Sequence, residues 1–274
     1  MAGSRGTNAG KKKRPARAER AKGGRSFLSH YLEESRTPLT VLLFLLPLLI
    51  AYEVLVIAAL RSGGTLVTPD AHRWILTLFE AFDLGTVGLW LPGVLVVVIL
   101  LSWHTIERRP WRSDSTTVGL MWSESLVLAL PLLVFSQAAL RIPALAAAAG
   151  DFNQLPLGAK LAVSVGAGIY EELLFRLGLI GLLLVVFEDL MKLGRTRATV
   201  FAIALSAMAF MLYHPLRDGS GSVHPARVVF YLGAGAYFGV LYALRGFGIA
   251  VGAHAFYDVL AVLFAASAAA AGTE

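Results

Sequence analysis

Gly168-Ile169-Tyr170-Glu171-Glu172-Leu173-Leu174-Phe175-Arg176 is the stretch whose reading decides the fold. Two neighbouring carboxylates and a guanidinium interrupt an apolar run over residues 157–187. A helix that crosses the hydrocarbon core of a bilayer needs about 20 apolar residues, and this run supplies them. A charge at that depth costs at least ~2.5 kcal/mol on insertion scales, so three together need a reason. The reading is a polar site buried inside a transmembrane rod.

The surrounding composition agrees. Of 274 residues, 57% are hydrophobic and only 15% charged, with a mean hydropathy of +0.68. A soluble domain carries about 25% charged residues. In lipid the backbone must satisfy its own polar groups, which leaves helices or closed barrels. The apolar runs here are continuous and lack the alternating pattern of barrel strands. The expected fold is therefore all-α, a polytopic transmembrane helical bundle of seven spans, or eight if one half-hydrophobic segment also inserts. The chain has no cysteine, which excludes disulfides and a thiol nucleophile and leaves the redox compartment unread.

Three regions follow. Residues 1–36 hold ten Lys or Arg against three Glu, whereas the remainder holds fourteen against fifteen acidic residues, so the net charge of +6 belongs to the tail. Lys11-Lys12-Lys13-Arg14 could touch nucleic acid, but beside a membrane domain a disordered tail near anionic lipid is expected, with no nucleic-acid partner. Residues 27–36 read as a short interfacial helix. Residues 37–156 read as N-terminal transmembrane helices, with spans near 38–60, 86–103 and 118–140, the last interrupted by Pro131. An amphipathic helix is expected over 71–82, and the Ala-rich residues 141–153 are ambiguous. Residues 157–274 read as a C-terminal helical core, with spans near 157–187, 198–213, 228–244 and 247–270. Lys and Arg are concentrated in the tail, the Arg108 loop and the Lys192 loop, which favours a cytoplasmic N-terminus. Glycine pairs (Gly166/Gly168, Gly178/Gly181, Gly235/Gly239 and Gly248/Gly252) mark the last four spans as a closely packed inner bundle.

Glu172 and Arg176 stand four apart with the acid first, the favoured orientation for an ion pair on a helix. Glu171 lies about 100° around the helix from Glu172 and is left without a partner on its own helix. Desolvation disfavours a carboxylate's charged form, and a base poised near neutrality suits hydrolysis. Ser164, Gly168, Glu171 and Phe175 share a face, so small groups are expected to leave room there for a ligand. His214 ends the fifth span. His254 and Asp258 sit one turn apart in the seventh, where the carboxylate can hold the imidazole tautomer or both can ligate a metal. Isolated histidines, His30, His72, His104 and His224, are expected to be structural, as is Glu53 inside the first span. A Glu, two His and an Asp in apolar spans suffice to activate a water.

Glu171-Glu172-x-x-x-Arg176, Phe210-x-x-x-His214 and His254-x-x-x-Asp258 are together similar to the three ordered motifs of the CPBP family of intramembrane endopeptidases, relatives of type II CAAX prenyl proteases. The resemblance covers residues 157–264. It implies that Glu171 and His214 activate the hydrolytic water. It also implies that His254, with the residue at Asp258, stabilises the oxyanion, and that Glu172 with Arg176 supports the helix geometry. Eukaryotic prenyl proteases carry Asn where Asp258 stands. An ionised Asp cannot donate a hydrogen bond, so Asp258 must be protonated, orient His254 or bind a metal. No His-Glu-x-x-His motif is present. If a divalent metal such as zinc is bound, its ligands come from Glu171, His214, His254 and Asp258; a glutamate-activated water without metal is the preferred reading.

The function expected is hydrolysis of a peptide bond in or near the membrane. The partners are the bilayer and a membrane-anchored protein or peptide, whose C-terminal tail is the segment processed. The Ala-, Leu- and Gly-rich composition suggests a bacterial inner membrane. A non-catalytic scaffold or a bacteriocin-immunity-type protein is the alternative. A transporter is a third class, although no inverted repeat of broken helices is visible.

Overall fold

Apolar runs of this length can bury their backbone polar groups only by coiling, and helices account for nearly all of the fold. The structure, a computed structural model, describes residues 27–61, 67–82, 90–140, 152, 154–217 and 221–271. The tail at 1–26 and most of the ambiguous segment, 141–151 and 153, lie outside the described residues. Among the described residues the sole β feature is an isolated bridge between Arg217 and Val223.

Among the described residues nine helices follow in order: α1 (Phe27–Glu34), α2 (Pro38–Arg61), α3 (Asp70–Glu80), α4 (Leu91–Glu107), α5 (Ser115–Leu140), α6, α7 (Arg195–Tyr213), α8 (Pro225–Arg245) and α9 (Phe247–Ala271). The rod α6 is continuous over residues 157–190. It is α-helical over Leu157–Glu172 and Gly181–Leu184 and widens into π-helix over Leu173–Ile180 and Val185–Leu190. Among the described residues five helices, α2, α5, α7, α8 and α9, are long and apolar enough to cross a membrane. The shorter apolar α4 and the rod α6 fall on the two remaining expected spans. The second begins later than expected, at Leu91, with Pro92 in its first turn where a missing N–H costs nothing.

Two details depart from the sequence reading. Pro131 does not interrupt its helix, and Pro47 also sits inside one; neighbouring helices make such prolines tolerable in a transmembrane bundle. Gly178 and Gly181 make no interhelical approach. A side chain on Gly181 would meet nothing, and one on Gly178 only the Leu173 carbonyl of its own rod. The other glycines do pack. A Cβ on Gly235 would collide with Ala207 of α7, one on Gly252 with Ser125 and Phe44, and one on Gly166 with Tyr52.

Local chemistry sets the connections. Asp114 caps α5, its carboxylate accepting from the Thr116 and Thr117 backbone N–H groups at 3.1 and 3.2 Å. Gly246 joins α8 to α9 with φ +90°, a conformation that costs glycine little and a side-chain-bearing residue much. Outward positions of α2 (Leu43, Leu46, Ile50, Val54 and Ile57) are apolar yet exposed, as are Val200, Phe201, Leu205 and Met208 of α7. In water such faces would be interaction surfaces; here they are the lipid-facing side. The interior is where charge is hidden. Glu171, Glu172, Arg176, Arg227 and His254 are all buried. The helix α1 is tied to the bundle through Tyr31, whose hydroxyl donates to Glu124, while Arg245 pairs with the same Glu124 at 2.5 Å.

Candidate active site

The site is assembled at the meeting of α6, α7 and α9, with α8 behind it. The α6–α9 contact is the most extensive in the molecule. It is close because Gly168 has no side chain: a Cβ there would lie 2.6 Å from Ala255 N and 2.7 Å from its Cα. Gly168 therefore does not leave room for a ligand, as its shared face with Glu171 suggested. Its face is filled by the backbone of α9, and this brings His254, the neighbour of Ala255, against α6.

Glu172 and Arg176 form the expected pair, Oε1 to Nη1 at 3.1 Å, with both side chains fully buried. The guanidinium lies 4.4 Å from the centroid of the Phe210 ring and donates to the Gly235 carbonyl at 3.1 Å. It is held by aromatic faces and backbone, the environment that guanidinium tolerates better than ammonium does. The π-helical widening after Glu172 exposes the Phe175 carbonyl to a neighbour, and Ser206 of α7 donates to it at 2.8 Å.

The Glu172 carboxylate has a second task that its spacing on α6 did not reveal. His254 Nδ1 lies 2.8 Å from Glu172 Oε1. A carboxylate beside this paired arginine accepts, so Nδ1 carries the proton and Nε2 points the other way. The ring is clamped flat against Phe238, centroids 4.3 Å apart and planes 16° from parallel. Nε2 then faces two acids, Asp258 Oδ2 at 3.5 Å and Glu171 Oε2 at 3.9 Å. Holding the His254 tautomer thus falls to Glu172, while Asp258 lies against the reactive nitrogen.

His214 reaches the cluster because Pro215 follows it. A residue before proline is pushed out of the helical region, and His214 is extended at φ −87°, ψ 159°. Its side chain turns back along α7, Nδ1 donating to the Phe210 carbonyl at 2.8 Å. A carbonyl only accepts, so Nδ1 holds the proton and Nε2 is the acceptor. The ring stacks on Tyr231 of α8 at 4.1 Å, and Nε2 lies 3.8 Å from Glu171 Oε2.

Glu171, His214, His254 and Asp258 are thus brought together from three rods. Glu171 Oε2 makes no hydrogen bond within the protein. It stands too far from either imidazole for a direct hydrogen bond and at a separation that a shared water can bridge. The Glu171 and His254 side chains are 7% and 5% exposed, against 17% for His214 and 25% for Asp258, so the cluster opens on the His214–Asp258 side.

Among the described residues, no three His, Asp or Glu side chains are arranged to hold a metal ion. His72 and His104 are buried among aromatic rings, beside Tyr170 at 4.8 Å and Trp111 at 4.4 Å. Two residues at the site had not been singled out. Tyr231 is found only by folding α8 against α7. Tyr213 directly precedes His214, and its hydroxyl accepts from the Ala71 N–H of α3 at 2.8 Å.

Residues 153–260 match the family described as type II CAAX prenyl endopeptidase Rce1-like. No curated protein and no solved structure matches the chain. The matched segment contains all six residues of the cluster and its support: Glu171, Glu172, Arg176, His214, His254 and Asp258.

Proposed function

We propose, on the premise that residues 153–260 are those of an Rce1-like endopeptidase within an integral membrane protein, that this chain hydrolyses a peptide bond of a membrane-anchored protein by means of a water activated at Glu171. The observation that carries the proposal is the position of Glu171 Oε2. It is an unbonded carboxylate oxygen, 3.8 Å from one imidazole nitrogen and 3.9 Å from another, in a nearly closed setting.

Glu171 Oε2 takes a proton from the water, and His214 Nε2, an acceptor by its tautomer, holds the water in line. The water oxygen bonds to the carbonyl carbon, and the carbonyl electron pair moves to its oxygen. His254, positively charged when Nε2 also carries a proton, donates to that oxyanion, and Glu172 balances its charge through Nδ1. Collapse of the intermediate breaks the C–N bond, and the proton on Glu171 passes to the departing amine. Removing one oxyanion donor typically costs ~10²–10³ in rate. Arg176 pairs with Glu172 and holds its carboxylate in place without itself touching substrate. Asp258 lines the open side, where substrate enters, and the segment cleaved is a tail close to the membrane surface. The tail's basic charge supports a cytoplasmic N-terminus, and the Ala-, Leu- and Gly-rich composition supports a bacterial plasma membrane as the setting.

The test compares the membrane proteome of a deletion strain with that of a strain carrying Glu171→Gln. Precursors left uncleaved in both, and cleaved when the wild-type chain is restored, are the expected result. A Glu171→Gln strain with a wild-type proteome, its protein folded and inserted, would sink the proposal.

A further inference from the structure

Contacts between distant segments tell the two ends of the bundle apart. At one end Thr40, early in α2, meets Ser113, just before α5, at 2.9 Å. There Arg245, the last residue of α8, pairs with Glu124 of α5 and donates to Ser35, just after α1, at 3.3 Å. At the other end the Ala71 N–H, at the start of α3, donates to the Tyr213 hydroxyl at the close of α7 at 2.8 Å. There too Arg227, early in α8, donates to the Pro215 carbonyl at 3.4 Å. Arg227 and Arg245 stand about 27 Å apart along α8, close to the ~30 Å of a hydrocarbon core.

Cations divide unequally between these ends. The first receives the tail, with ten Lys or Arg over residues 1–36, and the α4–α5 connection with Arg108, Arg109 and Arg112. It also receives the α6–α7 connection and the first turn of α7, with Lys192, Arg195 and Arg197. Among the described residues the second end carries Arg61, Arg73, Lys160, Arg217 and the buried Arg227, and Arg73 is paired with Asp70.

The acid–imidazole cluster faces the second end. The helix α9 leaves the first end at Gly246, so Asp258 lies one turn farther from that end than His254, and His214 follows the last residue of α7. Exposure rises the same way, from 5% at the His254 side chain to 17% at His214 and 25% at Asp258. The His214 ring stacks on Tyr231, about 9 Å along α8 from its start.

Short segments rich in Lys and Arg stay in the cytoplasm. From this placement we infer that the cluster opens on the face away from the cytoplasm, and that its substrate is an extended segment on the outer side of the membrane, next to the anchor of a membrane-bound protein. The choice of substrate deepens the reading of Glu171 as the base and rests on it; the side of the opening stands on the fold and the charges alone. An extended chain advances ~3.3–3.6 Å per residue, so about three residues carry a scissile bond from the start of α8 to the level of Tyr231. A tail confined to the cytoplasm would meet only the basic end.

The chain has no cysteine, so a single introduced thiol reports one position. Ser222→Cys marks the second end, and Ser115→Cys and Thr196→Cys mark the first; all three positions are exposed. Each full-length variant is treated with a membrane-impermeant maleimide in right-side-out membrane vesicles, before and after detergent is added. Ser222→Cys should be labelled without detergent, and the other two only with it. A Ser222→Cys protein protected in sealed vesicles, or a Ser115→Cys or Thr196→Cys protein labelled there, overturns the inference. Vesicles from the Glu171→Gln strain supply the second arm: protease added outside should digest the uncut segment of the accumulated precursor. Survival of that segment until detergent is added would overturn the choice of substrate. The expected labelling with no accumulated precursor would sink the protease reading and leave the side of the opening standing.

Discussion

Gly168→Ala puts the smallest possible side chain where α6 and α9 touch. The added Cβ would lie 2.6 Å from Ala255 N and 2.7 Å from its Cα, and both are backbone atoms that no rotamer change can move. Carbon atoms rest ~3.5–4.0 Å apart at their optimum, so the two rods must separate by about 1 Å at this point. His254 adjoins Ala255 and moves with it, so Nε2 drifts from its 3.9 Å station at Glu171 Oε2. A 1 Å misplacement of reacting groups can cost ~10²-fold, so the turnover number should fall about a hundredfold, or ~2.7 kcal/mol in the barrier. Overpacking a tight contact of this kind also costs ~1–3 kcal/mol of stability. Gly158→Ala on the same rod is the control, because its added methyl would meet nothing within 4 Å. The assay is cleavage of the accumulated precursor by each purified variant, alongside thermal unfolding in detergent. A folded Gly168→Ala protein with wild-type turnover would show that the α6–α9 spacing does not set the site.

Three other perturbations follow from the same geometry. Glu172→Leu leaves Arg176 buried without its carboxylate and should destabilise the bundle by ~3–5 kcal/mol in thermal unfolding; Glu172→Leu with Arg176→Met should recover much of the stability but not the cleavage, since His254 still lacks its Nδ1 acceptor. Asp258→Asn replaces a carboxylate 3.5 Å from His254 Nε2 with an amide that can donate to an oxyanion, so cleavage of the accumulated precursor should persist within about tenfold of wild type. At the start of α5, the Thr116 backbone N–H, with the other donors around it, holds the Asp114 carboxyl below its usual range despite partial desolvation. A depressed value in the folded state means that this cap stabilises above the unfolded-state value, ~3.9, and is lost as pH falls through the lower folded one. The unfolding midpoints of wild type and Asp114→Ala should therefore differ at neutral pH and converge in acid.

Length and polarity made much of this legible. Each apolar run became a helix because lipid leaves the backbone no other choice, and charges inside such runs marked Glu171, Glu172, Arg176, His254 and Asp258. The approach of His214 was not decided by the spans, which put it at a helix end and Glu171 mid-span; the extended step before Pro215 is what turns it inward. Cross-rod contacts were not legible. Nothing in the spacing on α6 or on α9 says that Glu172 meets His254, because that depends on how closely two rods approach. The helical face rule placed Gly168 beside Glu171 correctly but could not say whether the missing side chain left a cavity or admitted a backbone; here it admits α9. Tyr31, Glu124 and Arg245 come from three distant segments and meet only in the folded bundle. The π-helical stretch after Glu172 has no pattern of apolar residues that separates it from an ordinary helix.

The measurement that bears most directly on the catalytic reading is single-turnover cleavage, by purified wild type and by Glu171→Gln, of the precursor that accumulates in the mutant strain. The account predicts cleavage by the wild type and none by Glu171→Gln at matched folding and membrane insertion. Equal rates for the two proteins would contradict it, because the acid at the centre of the cluster would then have no part in the reaction.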